Sequence, residues 1–252
     1  MSETNDRLAV LIDADNTQPK RARAILDELA KYGVTTIKRA YGDWTTTQLS
    51  GWKNACNEHA IQPVQQFAYT TGKNSTDSAL IIDAMDLLHT GNVDGFALVS
   101  SDSDFTRLAT RLRESGKKVY GLGMRKTPAS LAAAVDLFIY LEVLPDAEPG
   151  LESDLATDPT LAPAELPNLE GLLTRAINAI SDDAGLVRLD RLGQYLQAAD
   201  SSFDSRRYGH AKLSTLVQAQ AYLTMTGTGN GRQVALKTAR KPARKAPAKK
   251  AN

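Results

Sequence analysis

The sequence predicts an α/β fold: a doubly wound, mostly parallel sheet followed by a second, small winged-helix domain. Three observations carry this expectation. Apolar, β-branched runs alternate with segments of helical spacing across the first 144 residues, as they do where strand and helix alternate around a parallel sheet. The stretch Pro145 to Pro167 then loses every apolar period and fills with Pro, Ala and acids, the composition of a solvated linker. Beyond it come three short amphipathic segments and two strand-like stretches, the element order of a winged helix. The expected organisation is a first domain over 1–144, a linker over 145–167, a winged helix over 168–237 and a basic tail over 238–252.

Taken in order, strands are expected at "LAVLID", "TTIKRAY", "IQPVQQF", "GFALVSS", "KVYGLG" and "LFIYLE". Between them, helices are expected at "PKRARAILDELAKYG", "TQLSGWKNACNEHA", "STDSALIIDAMDLLHTG", "SDFTRLATRLRESG" and "PASLAAAV". Gly33, Gly91 and Gly116 close three of these helices, as suits a residue that tolerates the left-handed conformation. In the second domain "LEGLLTRAINAIS", "VRLDRLGQYLQAAD" and "GHAKLSTLVQAQ" read as helices, and "AYLTMTGTGNGRQVALK" as a hairpin around a Gly-rich turn. The end, "TARKPARKAPAKKAN", is basic, low in complexity and free of acids, which predicts disorder.

Composition narrows the function classes. At 252 residues the chain is long enough for one well-buried α/β domain and a smaller companion. Its single cysteine, Cys56, excludes an internal disulfide and any multi-cysteine zinc site. No apolar run approaches the ~20 residues of a membrane span, so a soluble, cytoplasmic protein is expected. The net charge of +1 hides an asymmetry of −1 over 1–144, −6 over 145–167 and +8 over 168–252. The last portion is the one suited to a polyanion.

The acids are placed more pointedly. Asp13 and Asp15 follow the first strand, and Asp102 and Asp104 follow the fourth. In an open parallel sheet ligands lie beyond the carboxyl ends of the strands, where strand order reverses. If those two strands are neighbours there, their acids converge. Helical stepping adds Asp77, which shares a stripe with Ile81, Ala84 and Leu88 and so faces the sheet, whereas Asp83 and Asp86 fall off that stripe into solvent. Singly, such acids serve as turn residues, caps or partners of a helix dipole. Jointly they would repel one another and raise each other's pKa unless a cation were present. A hard divalent ion with oxygen ligands, Mg²⁺ above all, resolves the repulsion and contacts phosphates. These four or five carboxylates, Asp13, Asp77, Asp102 and Asp104 with Asp15 beside them, therefore read as the catalytic centre of a metal-dependent phosphodiesterase.

"LIDADN", the block "KNSTDSALIIDAMDLLHTGNVDGFALVSSDSDF" and the following "RLRESGKKVYGLG" resemble NYN domains of the PIN-like ribonuclease superfamily, in its bacterial branch. The resemblance covers about residues 7 to 142. It implies an Mg²⁺- or Mn²⁺-dependent nuclease acting on RNA, with Asp13, Asp77, Asp102 and Asp104 as the metal-binding set and Asn16 as the Asn that ends the first motif. Many relatives carry Lys-Gly close before the aspartate of the third helix. Here the stretch reads "TTGKNSTD", with Lys73 as the candidate for substrate contact. Residues 168 to 237 resemble the OST-HTH or LOTUS winged helix, which implies RNA or protein binding.

Other residues carry weaker signals. Tyr41, Trp44 and Trp52 stand near the end of the second strand; Trp44 suits either stacking on bases or packing, and Trp52 suits the core. His59, His89 and His210 show no catalytic or metal spacing. Lys237, Arg240, Lys241, Arg244, Lys245, Lys249 and Lys250 form a nonspecific phosphate-binding tail, to which Arg206 and Arg207 are expected to add, beside the packed Phe203 and Tyr208. The expected function is a metal-dependent endoribonuclease whose RNA-capturing module is joined by a linker loose enough for the two domains to act separately. The alternatives are a non-catalytic RNA-binding adaptor and a phosphatase of the haloacid dehalogenase type, which would want a Lys before the second acidic pair that "GNVDGFALVSSDSD" lacks.

Overall fold

The computed structural model describes residues 6–67, 75–145 and 166–237. The first domain runs β1 (Arg7–Asp13), α1 (Ala22–Leu29), β2 (Val34–Gly42), α2 (Trp52–His59), β3 (Gln62–Gln65), α3 (Ser75–Thr90), β4 (Gly95–Val99), α4 (Thr106–Glu114), β5 (Lys118–Gly123), α5 (Ala129–Ala133) and β6 (Leu137–Tyr140). All six strands are parallel, in the order β3-β2-β1-β4-β5-β6. The α/β class is as the sequence predicts, and β1 and β4 are neighbours at the point where strand order reverses.

Helices on both faces explain why the central strands are apolar without interruption. Along β1, Leu8, Val10 and Ile12 pack with Ile25, Leu29 and Trp52 on one side, while Ala9 and Leu11 pack with Leu80, Ala84, Phe105 and Leu112 on the other. Side chains alternate across a strand, so each residue serves one of two cores. Trp52 is fully buried, and its indole N–H donates to the Thr17 carbonyl at 3.2 Å.

Three local expectations need correction. Of the three helix-closing glycines only Gly116 takes a positive φ, +77°. Gly33 and Gly91 are required by proximity instead: a Cβ would lie 2.3 Å from the Asp6 carbonyl oxygen at the first and 2.4 Å from that of Leu87 at the second. The buried stripe of α3 is Asp77, Leu80, Ala84 and Leu87, with Ile81 and Leu88 only partly covered. That rotation brings Asp83 inward to pair with Arg39 and accept from the Tyr41 hydroxyl, so it is not a solvated surface acid. Asp86 is exposed as expected.

The second domain runs α6 (Leu169–Ile180), β7 (Val187–Arg188), α7 (Leu189–Ala199), α8 (Leu213–Gln218), β8 (Leu223–Thr226) and β9 (Gln233–Leu236). Its sheet is antiparallel in the order β7-β9-β8, around a core of Leu173, Ile177, Leu192, Leu196, Leu216 and Val234. Val187 and Arg188, expected to begin a helix, pair with β9 as a short strand. The turn between β8 and β9 takes left-handed backbone at Gly227 (φ +81°) and Gly229 (φ +58°), as its glycine content foretells.

The two domains touch directly, which corrects the expectation of separately acting units. The chain between α7 and α8 lies along the outer strand: Phe138 N–H donates to the Ser201 carbonyl at 2.8 Å, satisfying an edge strand that would otherwise be open. Arg206 donates to both oxygens of Glu28, at 3.0 Å each, and also binds Asp204. Arg207 stacks 4.2 Å from the ring centre of Tyr140. Both arginines are thus committed to the domain contact and not to a nucleic-acid surface. Burial opposes charge on Glu28, but the contacts with Arg206 and Lys31 prevail and hold its carboxyl below the usual range. Because the Glu28 side chain is 3% exposed but keeps Lys31 at 2.6 Å, Arg206→Ala is expected to destabilise the full chain by about 2 kcal/mol, within the range for lost hydrogen bonds to a charged group. Urea unfolding of parent and variant measures this. A difference under about 0.5 kcal/mol, typical of a surface change, would mean that the clamp does not form.

Candidate metal centre

The centre sits where topology places it. β1 delivers Asp13 as its last residue, buried at 1% exposure. Its neighbour β4 ends at Val99, which pairs with Ile12, so Ser100 emerges beside Asp13. The Ser100 hydroxyl donates to Asp13 Oδ2 at 2.8 Å, and the Asn16 side-chain amide donates to the same oxygen at 2.8 Å. Ser100 Oγ in turn accepts from Asp102 N–H at 3.1 Å. The next bond shapes the turn: Asp102 Oδ1 accepts from Asp104 N–H at 2.9 Å and caps the short 3-10 helix Ser103–Phe105. Asp77 enters from the first turn of α3, 9% exposed.

Three of the four predicted acids converge. One carboxylate oxygen from each of Asp77, Asp102 and Asp104 lies within 4.8 Å of the others. Asp13 is not a member of that triad; its oxygens are engaged by Ser100 and Asn16 at the floor of the crevice. It is nevertheless close enough to act on Asp77. The Asp77 carboxyl is pushed up to about 6, first by burial and then by the charges of Asp13, Asp102, Asp104 and Asp15. Burial also raises Asp13, and the bonds from Asn16 and Ser100 offset part of that rise. An oxygen-only donor set, close-set and mutually repelling, fits a hard divalent cation.

The repulsion has a measurable consequence. Asp77 holds its proton more tightly in the folded chain than in the unfolded one, so in metal-free protein its contribution is favourable below the unfolded value and is lost as pH rises through about 6. At pH 7.5 in EDTA, Asp77→Asn is expected to melt higher than the parent, and that advantage should shrink as pH falls toward 5. A difference that does not vary with pH would contradict the repulsion.

Other predicted site residues fall as follows. Asn16 is exposed and holds Asp13. Trp44 is half-buried against the first core, and its indole N–H donates to the Val64 carbonyl at 2.9 Å, so packing claims it as the sequence allowed. Lys73 and the tail residues Arg240, Lys241, Arg244, Lys245, Lys249 and Lys250 lie outside the described residues, as do residues 146–165 of the linker and the end of the chain; Lys237 is exposed, and its ammonium group donates to the Ala221 carbonyl at 2.7 Å. Sequence reasoning missed Ser100. The signal was present in "VSSDSD", because parallel pairing of β1 and β4 sets its first free residue beside Asp13.

A parallel sheet in this order, with carboxylates gathered at its switch point and a winged helix behind it, defines a two-module class in which an acidic crevice is paired with a helix-and-wing unit. The chain belongs to the NYN domain family, whose model matches residues 7–142, and an OST-HTH/LOTUS domain model matches residues 165–235. The two families support a role in nuclease action and RNA binding, which leaves the phosphatase alternative without support. An uncharacterized protein of Methanocaldococcus jannaschii is 28% identical over 123 residues, 46% of this chain and 47% of that one. The chain therefore spans about half the length of the curated relative it matches. Among solved structures, a protein of unknown function from Vibrio parahaemolyticus aligns at 18% identity with a TM-score of 0.47, over 56% of this chain and 95% of the other. No helix among the described residues is long and apolar enough to cross a membrane.

Proposed function

We propose that the protein is a divalent-metal-dependent endoribonuclease, with Mg²⁺ or Mn²⁺ held by Asp77, Asp102 and Asp104 and with the winged helix and basic tail capturing RNA. The observation that carries this reading is the close approach of those three carboxylates, in a crevice where Asp77 is already pushed up by burial and then by its neighbours' charges. A bound divalent ion would lower the pKa of a water it holds and offset charge on the phosphoryl group under attack. This chain's own residues supply the rest. Asp13, fixed by Ser100 and Asn16, sets the field at the crevice floor, and Asp104, exposed at its mouth, is placed to orient a water or take a proton.

The test is cleavage of labelled RNA and DNA by the full chain in Mg²⁺, Mn²⁺ or EDTA. RNA cutting that EDTA abolishes supports the reading; RNA binding without cutting in any metal would favour the adaptor. Division of labour is tested in the same assay. A tail touching Z phosphates of a single strand contributes about −0.7Z to the slope of log affinity against log salt. Deleting residues 238–252 is expected to flatten that slope while leaving the single-turnover rate at saturating RNA within about two-fold, an amount equivalent to less than a third of the 1.36 kcal/mol that makes a factor of ten. An unchanged slope would remove the tail from the binding account.

A further inference from the structure

The acidic centre poses a problem for its own substrate. Asp13, Asp15, Asp77, Asp102 and Asp104 together outnumber the two charges of a divalent ion, and a polyanion must come within a Debye length, about 8 Å at physiological salt. Cations on the rim are needed, and the loop after β5 provides them. We propose that Arg125 and Lys126 grip backbone phosphates of single-stranded RNA beside the acidic crevice. The proposal rests on the nuclease reading above for its substrate, and names the residues that hold the strand.

Placement and rigidity both support it. β5 lies next to β4 in the sheet, so the loop that follows it is braced against the turn that carries Asp102. Met124 N–H donates to the Ser101 hydroxyl at 2.8 Å, one residue before Asp102. At Gly123 an added Cβ would lie 2.7 Å from the Ser100 carbonyl oxygen and 2.6 Å from Thr127 Oγ1, so the two loops touch with no room between them. On its other side, Arg125 N–H donates to Glu142 Oε1 at 2.8 Å. The preceding residue, Leu141, is held by Arg21, whose guanidinium donates to its carbonyl at 2.7 Å. Thr127 closes the loop with both its N–H and its hydroxyl on the Met124 carbonyl.

A loop braced on three sides presents two exposed cations. Glu142, the carboxylate that touches the loop, is bound to backbone and not to either cationic head group. Neither Arg125 nor Lys126 enters an ion pair among the described residues. Several other arginines of the first domain are matched to acids, as Arg7 is to Asp94, Arg39 to Asp83 and Arg113 to Asp136. An adjacent pair left unmatched, on a rigid loop that abuts a metal-type site, is a phosphate grip awaiting its anion.

The experiment measures binding of a fluorescein-labelled 12-nucleotide oligouridylate to the full chain across a KCl series in EDTA, and cleavage of the same RNA in Mn²⁺. The double variant Arg125→Ala/Lys126→Ala is expected to make the log–log salt slope shallower by about 1.4, two phosphates at about 0.7 each. It should also raise the half-saturating RNA concentration for cleavage about ten-fold, by more than it lowers the maximal rate. The charge-keeping variant Arg125→Lys/Lys126→Arg should restore the slope, and Lys118→Ala, at the far end of β5, should leave it alone. A parental slope in the double variant overturns the proposal, as does an equal loss per charge in Lys118→Ala or a parent that binds no RNA. If the parent binds but never cuts, the slope loss still establishes the grip while the nuclease reading falls.

Discussion

Asp102→Asn is expected to lower RNA cleavage by at least about 100-fold without unfolding the chain. Metal-assisted stabilisation of a phosphoryl transfer is worth several kcal/mol, and each 1.36 kcal/mol is a factor of ten. The fold should tolerate the change because the asparagine oxygen can still accept from Asp104 N–H, the bond that caps the 3-10 turn, and because the change removes one of the charges that push Asp77 up. Single-turnover cleavage together with metal-free melting checks both halves. A folded variant that cuts at the parental rate would remove Asp102 from the site.

The second large effect is thermal. A cation that binds only the folded chain stabilises it by about 2.7 kcal/mol at 100 times its Kd, and for a chain of this size each kcal/mol raises the melting temperature by about 2–4 °C. Near-saturating Mn²⁺ should therefore raise the parent by about 5–10 °C. Asp77→Asn should lose more than half of that response, since Asp77 is one of the three converging acids. Asp13→Asn should lose less, because Asp13 is engaged by Ser100 and Asn16. Equal melting with and without the ion would argue against a preformed centre.

Much of this was legible in the chain because strand alternation and parallel topology obey strong rules. The uninterrupted apolar runs at β1 and β4 announced strands buried on both faces, and the acids that end them had one plausible meeting place. What stayed hidden depends on rotation and on contacts between distant segments. The tilt of α3 turned Asp83 onto Arg39 and Tyr41, which helical stepping could not foresee, because both partners sit on a strand whose register was unknown. Arg206 and Arg207 looked like free cations. Only docking of the winged helix reveals Glu28, a buried acid of α1, as the partner of one and Tyr140 as the platform of the other.

The most direct test of the central claim is the chemistry of the ends that cleavage leaves. Water attacking phosphorus leaves a linear monophosphate on one fragment and a hydroxyl on the other, whereas attack by the RNA's own 2′-hydroxyl leaves a 2′,3′-cyclic phosphate and needs no ion. Mass spectrometry of fragments made in ¹⁸O-labelled water with Mn²⁺ separates the two. The acidic centre predicts linear phosphates carrying one ¹⁸O, formed in Mn²⁺ and absent in EDTA. Cyclic phosphate ends, or fragments that form equally well in EDTA, would contradict it.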